Sequence, residues 1–136
     1  MRILCFLLIT ASFIQVANAE DYAAQEPFGG GVAPVVWGST AEEASDKAIR
    51  ACKQLNKRCS AKPVIPSVSK YNMFVTTCCK VDGVRCQTVA TALDEDAGRN
   101  EAFNQSLKAF ADAGFDNSHC WRERTYSVKT GKRLRD

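Results

Sequence analysis

The chain has 136 residues, 46% of them hydrophobic and 24% charged, with a formal net charge of +3. That length allows one modest core, and that charge is too small to imply a nucleic-acid partner. Seven cysteines against one histidine argue for a disulfide framework over a zinc site.

Met1-Arg2, an apolar run from Ile3 to Ile14 and Ala17-Asn18-Ala19 have the layout of a secretory signal peptide. Cleavage after Ala19 is expected, giving a periplasmic or extracellular chain. The apolar run is too short to span a bilayer, so no transmembrane helix is expected in the mature chain. Cys5 leaves with this segment. The six remaining cysteines, Cys52, Cys59, Cys78, Cys79, Cys86 and Cys120, are expected to form three structural disulfides.

Residues 20–31 contain Pro27 and end in three glycines, which reads as a flexible leader. Val32 to Trp37 is a short β-prone run interrupted by Pro34, an edge strand. Thr40 is placed to cap a helix, with Glu43 in the capping-box position. Ala41, Ala44, Ala48, Cys52 and Leu55 recur at helical spacing and define a flat face. Cys52 on that face is expected to reach Cys78 or Cys79, and Cys59 to tie the exit loop. Pro63 and Pro66 mark an extended or looped stretch.

Tyr71 to Lys80 is rich in β-branched and aromatic residues and runs into Asp82-Gly83, the signature of a tight hairpin. A two-residue turn sets Val81 opposite Val84, Lys80 opposite Arg85 and Cys79 opposite Cys86. Cys78 and Cys79 then point to opposite faces and are expected to make separate bonds. The return strand runs from Val84 toward Ala90. Asp94 opens a second helix with Ala97, Phe103, Leu107, Phe110 and Ala111 as its apolar stripe and Gly114 at its exit. Gly98 weakens its first turns by about 1 kcal/mol relative to alanine, so a start after Asn100 is a second option.

A last strand, read as an edge, runs from Cys120 to Val128, with Arg122 and Arg124 on one face. Residues 129–136 form a basic tail. The fold class is thus α+β, a small disulfide-braced antiparallel sheet with two packed helices in one domain over 32–128. The order strand, capped helix, cysteine occurs twice and reads as a divergent duplication.

Trp37-Gly38-Ser39-Thr40-Ala41-Glu42-Glu43-Ala44, followed by Ala48, Ala51, Cys52 and Cys59, resembles the repeated element of small exported bacterial proteins grouped as a domain of unknown function. The second half departs from it, with Thr91-Ala92-Leu93 where a Trp-Gly strand would stand. The resemblance implies a bacterial periplasmic origin and no particular activity.

Candidate chemistry is sparse. His119 and Cys120 are neighbours, but a cysteine committed to a disulfide is no nucleophile. The acids Asp94-Glu95-Asp96 lack the later glycine and terminal glutamate of a calcium loop and suit a helix start instead. No catalytic, metal or cofactor-binding residue is assigned and no cofactor is expected. The residues expected to meet a partner are Trp37, Trp121, Arg122, Arg124, Lys132 and Arg133. The expected function is a non-enzymatic exported binding protein, an inhibitor or immunity-type partner of another exported protein, with an acidic protein surface as the complement. The alternatives are a structural or envelope-associated component in peripheral membrane contact, and a small secreted enzyme.

Overall fold

A computed structural model describes residues 20–28, 31–55 and 57–135. The expected signal segment lies outside these. Along the chain run β1 (Tyr22–Ala24), β2 (Pro27–Phe28), β3 (Gly31–Val32), β4 (Val36–Gly38), α1 (Ala41–Gln54), β5 (Met73–Lys80), β6 (Val84–Thr91), α2 (Glu95–Asp112), β7 (Cys120–Ser127) and β8 (Arg133–Leu134). This is a small α+β fold with an antiparallel sheet, two helices and three disulfides.

The main sheet has the order β6-β5-β7-β8, all antiparallel. β5 is its centre, buried from Met73 to Cys79, because both of its faces are covered. Met73 and Val75 pack with Ala102 of α2 on one face. Phe74 packs on the other face with Ala23, Val35 and Val128. Fully burying one such phenylalanine contributes about 1.5–3 kcal/mol. Behind that second face lies the β1–β4 pair, extended by bridges from Tyr22 to Ser67 and from Gln25 to Val64. α1 covers the pair through Ala44 and Ala48 against Ala24. The layers therefore run α2, main sheet, β1–β4 layer, α1.

Residues 20–31, read as a leader, are thus partly structural: Ala23, Ala24, Gln25 and Glu26 are fully buried, and β2 pairs with β3. Three-residue strands give little sequence signal, and neighbours far along the chain supply the burial.

α1 is capped as expected. Glu43 N–H donates to Thr40 Oγ1 at 3.1 Å, and Glu43 Oε2 accepts from Ser39 N–H at 2.9 Å, one residue before the usual capping-box partner. Lys47 lies 2.7 Å from the same carboxylate, and these contacts hold its pKa down at about 2. Ala44, Ala48 and Cys52 face inward, whereas Ala41 and Leu55, at the ends of the expected stripe, are exposed. Cys52 bonds Cys59 across the helix exit, not Cys78 or Cys79. The Cα atoms of Cys52 and Cys59 lie 5.9 Å apart, within ordinary reach of a disulfide.

The hairpin register differs from expectation by one residue. Lys80 pairs with Val84, leaving a three-residue loop in which Asp82 (φ 46°) and Gly83 (φ 112°) both adopt positive φ. Cys78, not Cys79, therefore stands opposite Cys86 and bonds it. Cys79 faces Cys120 of β7 and bonds that. The two bonds leave opposite faces of β5, as expected, and clamp three strands together at one end.

α2 begins at Glu95, not after Asn100. Its buried stripe is Gly98, Ala102, Ser106 and Phe110; Phe103 and Leu107 are half-buried, and Ala97 and Ala111 are exposed. Gly98 is required by close approach, since a Cβ there would collide with Met73 and with the Leu93 carbonyl. β7 is an interior strand. Its outer neighbour β8 is formed by residues read as tail and pairs through Thr125–Leu134 and Tyr126–Arg133. The two helix exits use their cysteines differently, Cys59 locally and Cys120 across the sheet.

Candidate functional site

α2 ends in a glycine-terminated cap that fixes two aromatic rings. Gly114, at φ 81°, donates its N–H to Ala111, and Phe115 donates its N–H to the Phe110 carbonyl at 2.9 Å. These are the paired bonds of a Schellman motif, which brings the residue after the glycine back onto the last helical turn. Phe115 accordingly meets Phe110 edge-on, with ring centroids 6.4 Å apart.

The hairpin register supplies the third part. Because Arg85 pairs with Cys79, on the face that α2 covers, its guanidinium reaches Phe115 and sits 4.4 Å from the ring centroid. Between the first half of β6 and the C-terminal turn of α2 lies an open groove of about 590 Å³, lined by Val84, Gln87, Ala109, Phe110, Ala113 and Phe115 with Arg85. Cys86 also lines it, so the Cys78–Cys86 bond anchors its strand wall. Arg85 is the one charged lining residue. Val84, at the mouth, is among the exposed large hydrophobic side chains.

A second cavity, of about 360 Å³, lies at the start of α2 among Asn72, Glu95, Arg99, Ser127, Lys129 and Leu134. Its charges are mixed, and Arg99 is tied to Asp96 and to the Arg135 carbonyl. Among the described residues, the buried carboxylate with a raised pKa is that of Glu26. Desolvation pushes it up, while its Oε1 accepts from Ser60 N–H and its Oε2 has no partner.

Of the residues expected to meet a partner, Trp37 is brought against Gly131, next in sequence to Lys132 and Arg133, whereas Arg122 and Arg124 are separated. Trp37 is structural: its Nε1 donates to Val128 O at 3.0 Å, and Gly131 lies against its ring. Trp121 is 37% exposed and donates Nε1–H to Glu123 Oε2. Arg122 and Arg124 do not share a face. Thr76 pairs with Arg124 and Thr77 with Arg122, so Glu123 is an extra bulge residue that puts the two arginines on opposite faces of the sheet. Lys132 and Arg133 are exposed beyond them at the β7–β8 turn and strand. Cys120 is bonded, so the His119-Cys120 neighbours hold no free thiol.

Sequence reasoning places Phe110 in the helix stripe but assigns neither Arg85 nor Phe115 to a site. The signal that could have found the aromatic pair is Phe110-x-x-x-Gly114-Phe115, a helix exit with aromatic residues at both positions that such a cap brings together. Arg85 required the correct hairpin register.

No family model, curated protein or solved structure matches the chain. Among the described residues, no helix is long and apolar enough to cross a membrane.

Proposed function

We propose that this chain is a non-enzymatic exported binding protein that acts on another exported protein as an inhibitor or immunity-type partner. The observation that carries the reading is the groove between β6 and α2, with two aromatic rings in contact, one exposed arginine and a strand wall fixed by a disulfide. Aromatic residues, phenylalanine among them, and arginine are enriched at protein interfaces relative to the rest of the surface. The signal-like N-terminus and the three disulfides favour an oxidising compartment.

The test is capture from an exported fraction at low salt using the oxidised protein, the Phe115→Glu variant and a variant with Arg122, Arg124, Lys132 and Arg133 all changed to Ser. The expected result is a protein companion retained by the first and third and lost by Phe115→Glu. Capture of no companion, or capture indifferent to Phe115→Glu, contradicts the proposal.

One observation favours an envelope-associated role as a second reading. Lys129, Lys132, Arg133 and Arg135 are all exposed around the β7–β8 turn, a basic cluster suited to anionic headgroups. Salt-sensitive co-sedimentation with anionic vesicles, abolished by neutralising these four residues, is what that reading requires.

A further inference from the structure

The groove lies along the free edge of a sheet, and the edge decides what shape of molecule fills it. β6 is hydrogen bonded to β5 on one side only. Lys80 donates its N–H to His119 on the β7 side at 3.0 Å. Backbone groups alternate along a strand, so those of Cys79 turn toward β6 and are paired with Arg85. Arg85 and Gln87 therefore spend their backbone groups inside the sheet, while Val84 and Cys86, at the hairpin end, direct theirs outward. No hydrogen bond among the described residues occupies that outward row. β2 packs near β6 without hydrogen bonding to it.

An unpaired strand edge beside an apolar helix turn is the setting for strand addition, in which backbone bonds hold the incoming segment and alternate side chains enter the groove. The chemistry of those side chains follows from the lining. Phe110, Ala113 and Phe115 call for apolar groups. Arg85, exposed and held over the Phe115 ring, is the single lining charge and calls for a carboxylate. Building on the binding-protein reading above, we infer that the groove takes an extended segment of the partner protein, added to β6 as a fifth strand, with apolar side chains at alternate positions and a carboxylate at Arg85.

The two β6 ends differ in a way that fixes where the segment lies. Thr88 and Thr91 are buried, whereas Val84 and Arg85 are exposed, so access is at the hairpin end, beside the C-terminal turn of α2. The Cys78–Cys86 and Cys79–Cys120 bonds close the sheet at that same end. A strand wall held in place before binding loses less conformational freedom on complex formation.

The probe is a phage-displayed library of random decapeptides panned on the oxidised protein, with the enriched sequences resynthesised with and without N-methyl groups at alternate amides. The expected sequences alternate apolar and polar residues and carry an acid. Their binding falls at least tenfold with Phe115→Glu and at least tenfold with N-methylation on one set of alternate amides. With Arg85→Gln, binding falls severalfold and its salt dependence flattens. Arg85 is exposed, so this variant leaves folding intact and keeps the test valid if Phe115→Glu does not fold. Failure to enrich any peptide, binding that survives N-methylation on both sets, binding indifferent to Arg85→Gln, or self-association of the protein through β6 would each overturn the inference. A companion captured through Phe115 with no peptide enriched removes strand addition and leaves the binding-protein reading standing; loss of capture removes both.

Discussion

At the scale of single residues, Gly98 and Glu26 show how burial reverses a local preference. Alanine favours a helix interior over glycine by about 1 kcal/mol, so Gly98→Ala would stabilise an isolated helix. Here the added Cβ meets Met73 and the Leu93 carbonyl, and overpacking of a tight contact costs about 1–3 kcal/mol. Overpacking outweighs the helix preference, and Gly98→Ala is expected to lower the denaturant midpoint with an unchanged slope. A raised midpoint would show that α2 can move off β5 at no cost. Glu26 is a buried acid whose pKa is raised from its ordinary 4.5 by desolvation. A raised folded-state pKa means that the stabilisation linked to its proton is fully present below 4.5 and is lost as pH rises through the folded value. Glu26→Gln keeps a carbonyl to accept from Ser60 N–H and removes the charge. The variant should therefore gain stability relative to the wild type as pH rises from 4 to 8, read from thermal unfolding across that range. A difference between the two that is constant with pH would contradict the assignment.

Elements were legible in the sequence where the signal was local. Thr40 and Glu43 marked the start of α1, Gly114 the exit of α2, and the β-branched run before Asp82 the central strand. Register was not legible. One extra loop residue changed the partner of Cys86 from Cys79 to Cys78, and one bulge residue, Glu123, separated Arg122 from Arg124. Both shifts are set by pairing across the sheet, where a slip of one residue turns every later side chain to the other face. β1 was missed because Ala23 and Ala24 are buried by Phe74 and Ala44, neighbours that local patterning does not name. The helix stripe was misplaced because small residues, Gly98, Ala102 and Ser106, face the sheet while Phe103 and Leu107 are only half-buried. The half of the site formed by the α2 exit could be read from its residues; the half formed by Arg85 could not, since it depended on that register.

Across the whole molecule, four layers stack in the order α2, main sheet, β1–β4 layer, α1, and covalent bonds gather at one end of the main sheet. The Cys79–Cys120 bond closes a separation of 41 residues, against 8 for Cys78–Cys86 and 7 for Cys52–Cys59. In the chain-entropy account its contribution is the largest of the three, about 4 kcal/mol against about 2.5 for each of the others. That bond joins the two strands that dominate the sheet, and the shorter Cys78–Cys86 bond fixes β6 beside them. The result is a sheet edge held rigid where the groove opens. The basic residues of the C-terminal segment lie on both faces of β7 and around the β7–β8 turn, so a partner steered by that cluster alone would sit on a different part of the molecule. Hydrogen exchange of the captured complex separates the two directly. The groove account predicts protection gained over residues 84–88 and 107–115, whereas protection confined to residues 121–135, with 84–88 exchanging as in the free protein, would contradict it.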